Sequence, residues 1–352
     1  MKWKLLMCCF AVLFLCSGGE ADTTGHIFAF SGLLSESDLI VTGLIVNVEI
    51  DPTTYRMTCG IEECIVGSAQ EPLEIVSPLA NGFYSSDDPY LEQDSRYLLF
   101  LKHDRDDLVI TKRWGGVLNC DQRDDVVRIV QAYDSNPNLF SKEYSADLQD
   151  LFFAATQEDT RSRLLCDLEY CLTPADEPFL STLLDSDNQR DNRFSILQCG
   201  RLGLESMRPR IEDLLGKTAD SQIVFHCIAA LGDLGNPDSL ELVLGFLGDS
   251  EQGIRSAAIE AAGKIGGNVI IQPLSEWYAS EQDFGNRLAI ITSLSGVSDR
   301  NAVADALTYF LSVETDPIVL HALNRELDSL SALPRDSWGR VKSARTSAPA
   351  ER

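Results

Sequence analysis

The feature that most constrains this chain is a repeat of 31–32 residues through its C-terminal half. Gly203, Gly235 and Gly266 stand 32 and 31 residues apart, and the same step reaches Ser298 ahead of them and Leu172 behind. Seven positions before these anchors stand Leu165, Ile196, Ile228, Ile259 and Ile291. Four before stand Leu168, Cys199, Leu231, Ala262 and Leu294, and one before stand Cys171, Leu202, Leu234, Ile265 and Val297. That spacing makes one helical face, so each unit is predicted to open with an amphipathic helix. Eight, eleven and twelve positions after the anchors a second apolar stripe recurs, as in Ile211-Leu214-Leu215 and Leu274-Trp277-Tyr278. Two short helices cannot bury both stripes within one pair, so neighbouring pairs must stack. In IRSAAIEAAGKIGG, residues 254–267, the alanines allow close helix approach, and the glycine ends the helix with a residue tolerant of left-handed geometry.

This segment resembles the HEAT-like repeats, in the short form noted in bilin lyase subunits. Asp249 through Leu274 carries the resemblance, with its acidic lead-in, Arg255, the Ala-Ala pair and the Ile-Gly stop. The resemblance implies an α-solenoid over residues 157–330 that serves as a binding frame. It also implies a structural role for Arg161, Arg255 and Arg287, eleven positions before their anchors, each bonding to acids in the adjoining turn. Asn192 and Val224 interrupt that ladder. A lyase role would need a tetrapyrrole-carrying partner, and no residue here points to one. The helix expected from Asp316 to Leu330 starts a sixth unit, loses the pattern and is read as a cap. Residues 331–352 are rich in Ser, Ala, Pro and Arg and are expected to be disordered.

Residues 22–120 follow a different grammar. Strand-like runs are expected at 37–50, 55–66, 73–76, 96–102 and 108–117, with Asp104–Asp107 as a hairpin turn. Five short strands point to a small barrel or sandwich. Four pieces resemble a family of exported bacterial domains with an OB-like barrel, related in shape to tissue inhibitors of metalloproteinases. They are Ser37–Gly43, Glu62–Gly67, Asp94–Leu101 and Trp114–Val117. Inhibitor activity does not follow, because those inhibitors ligate the protease zinc through an N-terminal cysteine, and Asp22 to Thr58 holds none. Residues 121–156 are read as a linking helical segment, with a helix from Asp124 to Tyr133.

The first residues read as an export signal over 1–21. Lys2 and Lys4 precede an apolar run from Leu5 to Cys16, too short for a membrane span, and Gly19-Glu20-Ala21 fits a cleavage site, placing the mature start near Asp22. Lipid anchoring through Cys16 is disfavoured because Leu15, not a small residue, precedes it. No membrane span is expected after signal removal, and the location is exported: periplasmic, cell-surface or secreted. Seven cysteines then remain, an odd number, so at least one is free or pairs between chains. The formal charge of −25 makes nucleic acid a poor partner.

Catalytic and metal signals are thin. Cys59 and Cys64 lack a second ligand pair, so zinc is not expected. His226 beside Cys227 suggests a nucleophile pair, but adjacent helical residues diverge, so both are read as structural. DSDNQRDN, 185–192, has Arg190 where a calcium loop needs glycine and Ile196 where it needs glutamate, so it is read as an inter-repeat turn. In HEAT-like stacks the second helices line the concave docking face. Here their outward positions hold Arg210, Asp213, Glu241, Leu242, Gln272, Glu276 and Asp305, with Leu244 close by. Leu242 and Leu244 are the candidate apolar centre of a hot spot ringed by charge.

The sequence therefore reads as a small OB-like β-barrel followed by an α-solenoid of HEAT-like helix pairs, an exported, acidic, non-enzymatic protein-binding scaffold. No cofactor or metal is expected, and the partner is a protein. The alternatives are an inhibitor or lyase-like factor acting on an envelope or secreted enzyme, and a structural envelope component.

Overall fold

A computed structural model describes residues 29–50, 54–78, 91–105, 107–111 and 116–331. The proposed signal segment, His26, Trp114 and Gly115 of the Trp114–Val117 piece and the tail beyond Ser331 lie outside these residues. The chain divides into two compact units, Met1–Phe179 and Leu180–Arg352.

Among the described residues the first unit holds a short helix, α1 (Phe30–Glu36), then strands β1 (Leu39–Ile50), β2 (Thr54–Val66), β3 (Leu73–Pro78), β4 (Arg96–Asp104), β5 (Asp107–Ile110) and β6 (Val117–Asn119). The strand order is β1-β2-β3-β5-β4, and β1 pairs again with β4, so five strands close into a barrel. Among the described residues only β3 and β5 run parallel, at Ile75 and Leu108. This is the OB-like barrel that the sequence suggested. Its interior is built by alternation, with Val41, Ile45, Tyr55, Met57, Cys59 and Leu99 all buried on the inward side.

Leu98 through Leu101 break that alternation, all four being fully buried. The outer face of β4 is covered by α1, whose Phe30 ring lies 6.4 Å from that of Phe100. The helix is held in turn by buried Asp167, which accepts N–H bonds from Phe30 (2.8 Å) and Ser31 (3.1 Å) at the α1 N-terminus.

The run expected at 108–117 is two strands, not one. β5 ends at Ile110 opposite Leu101, and β6 rejoins the same edge of β4 with Val117 opposite Leu99. A Cβ on Gly116 would lie 2.2 Å from the carbonyl oxygen of Thr111, so the chain pinches shut where it rejoins. The Asp104–Asp107 turn joins β4 to β5 as expected, with Arg105 in the left-handed region at φ 61°. The linking segment holds two helices, α2 (Arg123–Ser135) and α3 (Ser145–Ala154). Buried Asp125 on α2 accepts the N–H groups of Thr156 and Gln157, both at 3.0 Å, and fixes the entry to α4 (Glu158–Cys171).

α5 (Glu177–Leu184) runs across the division. The second unit then continues in pairs: α6 (Gln189–Leu202) with α7 (Arg208–Lys217), α8 (Ser221–Leu234) with α9 (Leu240–Leu244), α10 (Gln252–Ile265) with α11 (Ile271–Tyr278), and α12 (Phe284–Ser295) with α13 (Arg300–Val313). A last helix, α14 (Pro317–Ser331), packs on α12 and α13. The predicted register holds where it matters most. Every residue seven and four positions before an anchor is buried, from Leu165 and Leu168 to Ile291 and Leu294. Gly203 and Gly235 end their helices in left-handed geometry at φ 69° and 68°. The rule stops at Ser298, because α12 already ends at Ser295 with Gly296 after it.

A second glycine column, not anticipated, sets how closely the first helices stack. Gly200, Gly232 and Gly263 each lie three positions before an anchor. A Cβ on Gly200 would stand 2.9 Å from Cα of Ala230, one on Gly232 2.7 Å from Cα of Ala261, and one on Gly263 2.6 Å from Oγ of Ser293. Each glycine receives a small residue of the next first helix at near-backbone distance.

Candidate protein-binding face

The arginine ladder shows how the turns of the second unit are held. Arg255 donates to both carboxylate oxygens of Glu281 (Nε 2.9 Å, Nη2 3.0 Å) and to the carbonyls of Asp249 (3.0 Å) and Ser250 (3.2 Å). It ties its own turn to the next one. Glu281 is 4% exposed and also accepts from Trp277 Nε1, the Asp283 N–H and Asn286 Nδ2. Burial works against its charge, but these donors outweigh it and hold the carboxyl down to about 2.

Arg287 repeats the arrangement on Glu314 at 2.9 Å, with the carbonyls of Glu281 and Gln282 at 3.0 Å each. Glu314 also accepts from the Tyr278 hydroxyl at 2.5 Å, and the Tyr278 ring stacks on Phe310 at 3.8 Å. Asn192 takes the arginine's task in its unit, donating to the carbonyls of Leu183, Leu184 and Ser186 at 2.8–3.0 Å. The Arg161 guanidinium lies 4.4 Å from the Phe152 ring centroid.

The Cys–His neighbours are unsuited to nucleophilic chemistry. Both are buried on α8, burial pushes the Cys227 thiol up to about 12, and burial with nearby Arg193 pulls His226 down to about 4. A thiolate is not available at neutral pH, and the imidazole is neutral. DSDNQRDN is a capping turn: the Asn188 side chain accepts from the N–H of Arg190 at 2.8 Å, and Ser186 donates to buried Asp191.

The outward positions of the second helices fall into two groups. Asp213, Glu241, Gln272, Glu276 and Asp305 are exposed, on α7, α9, α11 and α13 in turn. Among them Gln272 donates to Glu276 at 2.8 Å, and Asp213 pairs with Lys217 at 2.7 Å. Arg210 instead turns back onto the preceding second helix, donating to Ser181 at 2.6 Å and pairing with Asp185. Leu242 and Leu244 are half-buried. They flank fully buried Val243 on the five-residue helix α9, and residues two apart on a helix do not share a face. The structure therefore places them on different sides of α9, not in one apolar centre.

Sequence reasoning missed the glycine column and the acids Glu281 and Glu314. The signal was present: Gly200, Gly232 and Gly263 keep the repeat step, and each acid follows its arginine by 26 or 27 residues.

Residues 176–261 and 225–295 match the family pattern of HEAT repeats. With the stacked pairs described above, this part of the chain is a HEAT-repeat helical array following an N-terminal barrel. No curated protein matches the chain in sequence. Among solved structures it is similar to the complex of CpcE and CpcF of phycocyanin lyase from Nostoc sp. PCC7120, at 16% identity and a TM-score of 0.37, over 60% of this chain and 92% of that one. It is also similar to an engineered protein, at 16% identity and a TM-score of 0.38, over 57% of this chain and 59% of the other.

Proposed function

We propose that this chain is an exported, non-enzymatic scaffold that binds a protein partner across the second helices of its HEAT repeats. One observation carries the reading. Successive second helices present Asp213, Glu241, Gln272, Glu276 and Asp305 to solvent, while their other faces are spent on packing. A row repeated at the unit spacing suits an extended polypeptide, and its acidity suits a basic one. Arg210, Leu242 and Leu244 border this row, and each leucine acts on its own side of α9. No described helix is long and apolar enough to cross a membrane.

The test pairs partner capture with thermal melting. Capture from the native envelope fraction identifies the partner by mass spectrometry, and purified partner then gives the affinity. Glu241→Lys with Glu276→Lys should weaken binding at least tenfold and leave the melting temperature unchanged. Leu242→Asp and Leu244→Ser are made singly, because a half-buried leucine that lowers the melting temperature reports on packing. Unaltered affinity in the charge-reversed protein would move the docking face to the barrel. Export is tested by intact mass, with a mature start expected near Asp22; a mass retaining residues 1–16 without lipid would overturn it.

A further inference from the structure

Among the described residues of the second unit, the exposed large apolar side chains are unevenly placed. Of Val269, Phe284, Tyr309, Val313 and Ile318, three fall within ten residues, at the end of α13 and the start of α14. Tyr309 and Val313 are 45% and 46% exposed and lie one turn apart, and Asp305 continues the same face one turn earlier. Ile318, 60% exposed, follows just after the short turn 314–316. Tyr309, Val313 and Asp305 thus make a strip along α13 with an acid at one end, and Ile318 stands at the start of α14.

We propose that the strip is a docking site for the chain's own segment 335–345, with Trp338 seated against Tyr309 and Val313. This does not depend on the scaffold reading. Charge argues for this occupant: residues 332–352 hold Arg335, Arg340, Lys342, Arg345 and Arg352 against only Asp336 and Glu351, in a chain of formal charge −25. A second copy of so acidic a body would be repelled, whereas a basic segment is drawn in. Reach argues for it too. α14 follows α13 after the three-residue turn 314–316 and packs against it, so an antiparallel pairing brings Ser331 toward the end of α13 where Arg300 stands. Tyr309 lies about 14 Å along α13 from Arg300 at 1.5 Å per residue. Seven residues from Ser331 to Trp338 span up to about 25 Å. An aromatic side chain on Tyr309, with Arg340 or Lys342 toward Asp305, joins ring contact to charge pairing.

Hydrogen–deuterium exchange of the full chain at low micromolar concentration tests the proposal. Amides of 335–345 should be protected, and the protection should be lost in Tyr309→Asp and in Trp338→Ala. The second variant lies outside the helical array, so it guards against a folding defect in the first. Absence of protection in the unmodified chain would overturn the proposal. So would protection that grows with protein concentration, which assigns the strip to a second copy, and protection that survives Tyr309→Asp, which places the segment elsewhere.

Discussion

A Cβ placed on Gly232 would lie 2.7 Å from both Cα and Cβ of Ala261. The helices α8 and α10 therefore meet nearly backbone to backbone, and the methyl of alanine cannot be accommodated unless they part. Gly232→Ala should destabilise the protein by about 1–3 kcal/mol, against the helix preference for alanine. Gly216→Ala is the control, because nothing lies within 4 Å of a Cβ there. It should be neutral or stabilise by up to about 1 kcal/mol. Urea unfolding of both variants measures the difference; a stabilised Gly232→Ala would mean the helices are not in close contact.

Ile228 and Ile259 are fully buried at equivalent positions of successive units. Replacing either with alanine should cost about 2–5 kcal/mol, set by how far the cavity collapses. Because stacked units share interfaces, amide exchange should rise in the neighbouring helices as well as in the mutated one.

The Arg255–Glu281 pair is a test of buried-charge energetics. Arg255→Met leaves the Glu281 carboxylate in place without its main counter-charge and should cost about 3–5 kcal/mol. The double variant Arg255→Met, Glu281→Gln should recover part of that loss. Glu281 ionises at about 2 in the folded protein, below its ordinary 4.5. Its contribution is thus complete above pH 4.5 and is lost as pH falls from 4.5 toward 2. Melting temperature against pH, compared between the unmodified chain and Glu281→Gln, should converge at the acid end.

His226 and Asp167 pull in opposite directions with pH. Folded His226 takes a proton near pH 4 instead of 6.5, so the unfolded chain binds more protons between these values. Stability from this site is present above 6.5 and falls as pH drops toward 4. Asp167 is raised by burial to about 6 from 3.8, so its contribution is complete below 3.8 and is lost as pH rises through 6. His226→Phe should flatten the first slope and Asp167→Asn the second, each read from melts between pH 4 and 7. A His226 ring that titrates near 6.5 by NMR would show that it is solvated.

Periodicity carries information about faces, because a residue's position on a helix or strand follows from its number. Ile228, Ile259 and Leu294 were therefore readable as core, Gly203 and Gly235 as helix ends, and the five runs before residue 120 as a small barrel. The sequence alone also determined the acidic character of the surface and the pairing of helices into units. A contact that occurs once, outside the repeat step, has no period in the chain. Only the folded structure decides that Leu98–Leu101 is buried on both faces, because α1 covers it. It also decides that the run at 108–117 holds two strands, β5 and β6, on one edge of β4, and that Leu242 and Leu244 part around Val243 on a helix of five residues. The same holds for Glu281. Nothing in its neighbours along the chain marks it as buried, and its charge is kept because Arg255, 26 residues away, is brought within hydrogen-bonding distance by the stacking of one helix pair on the next.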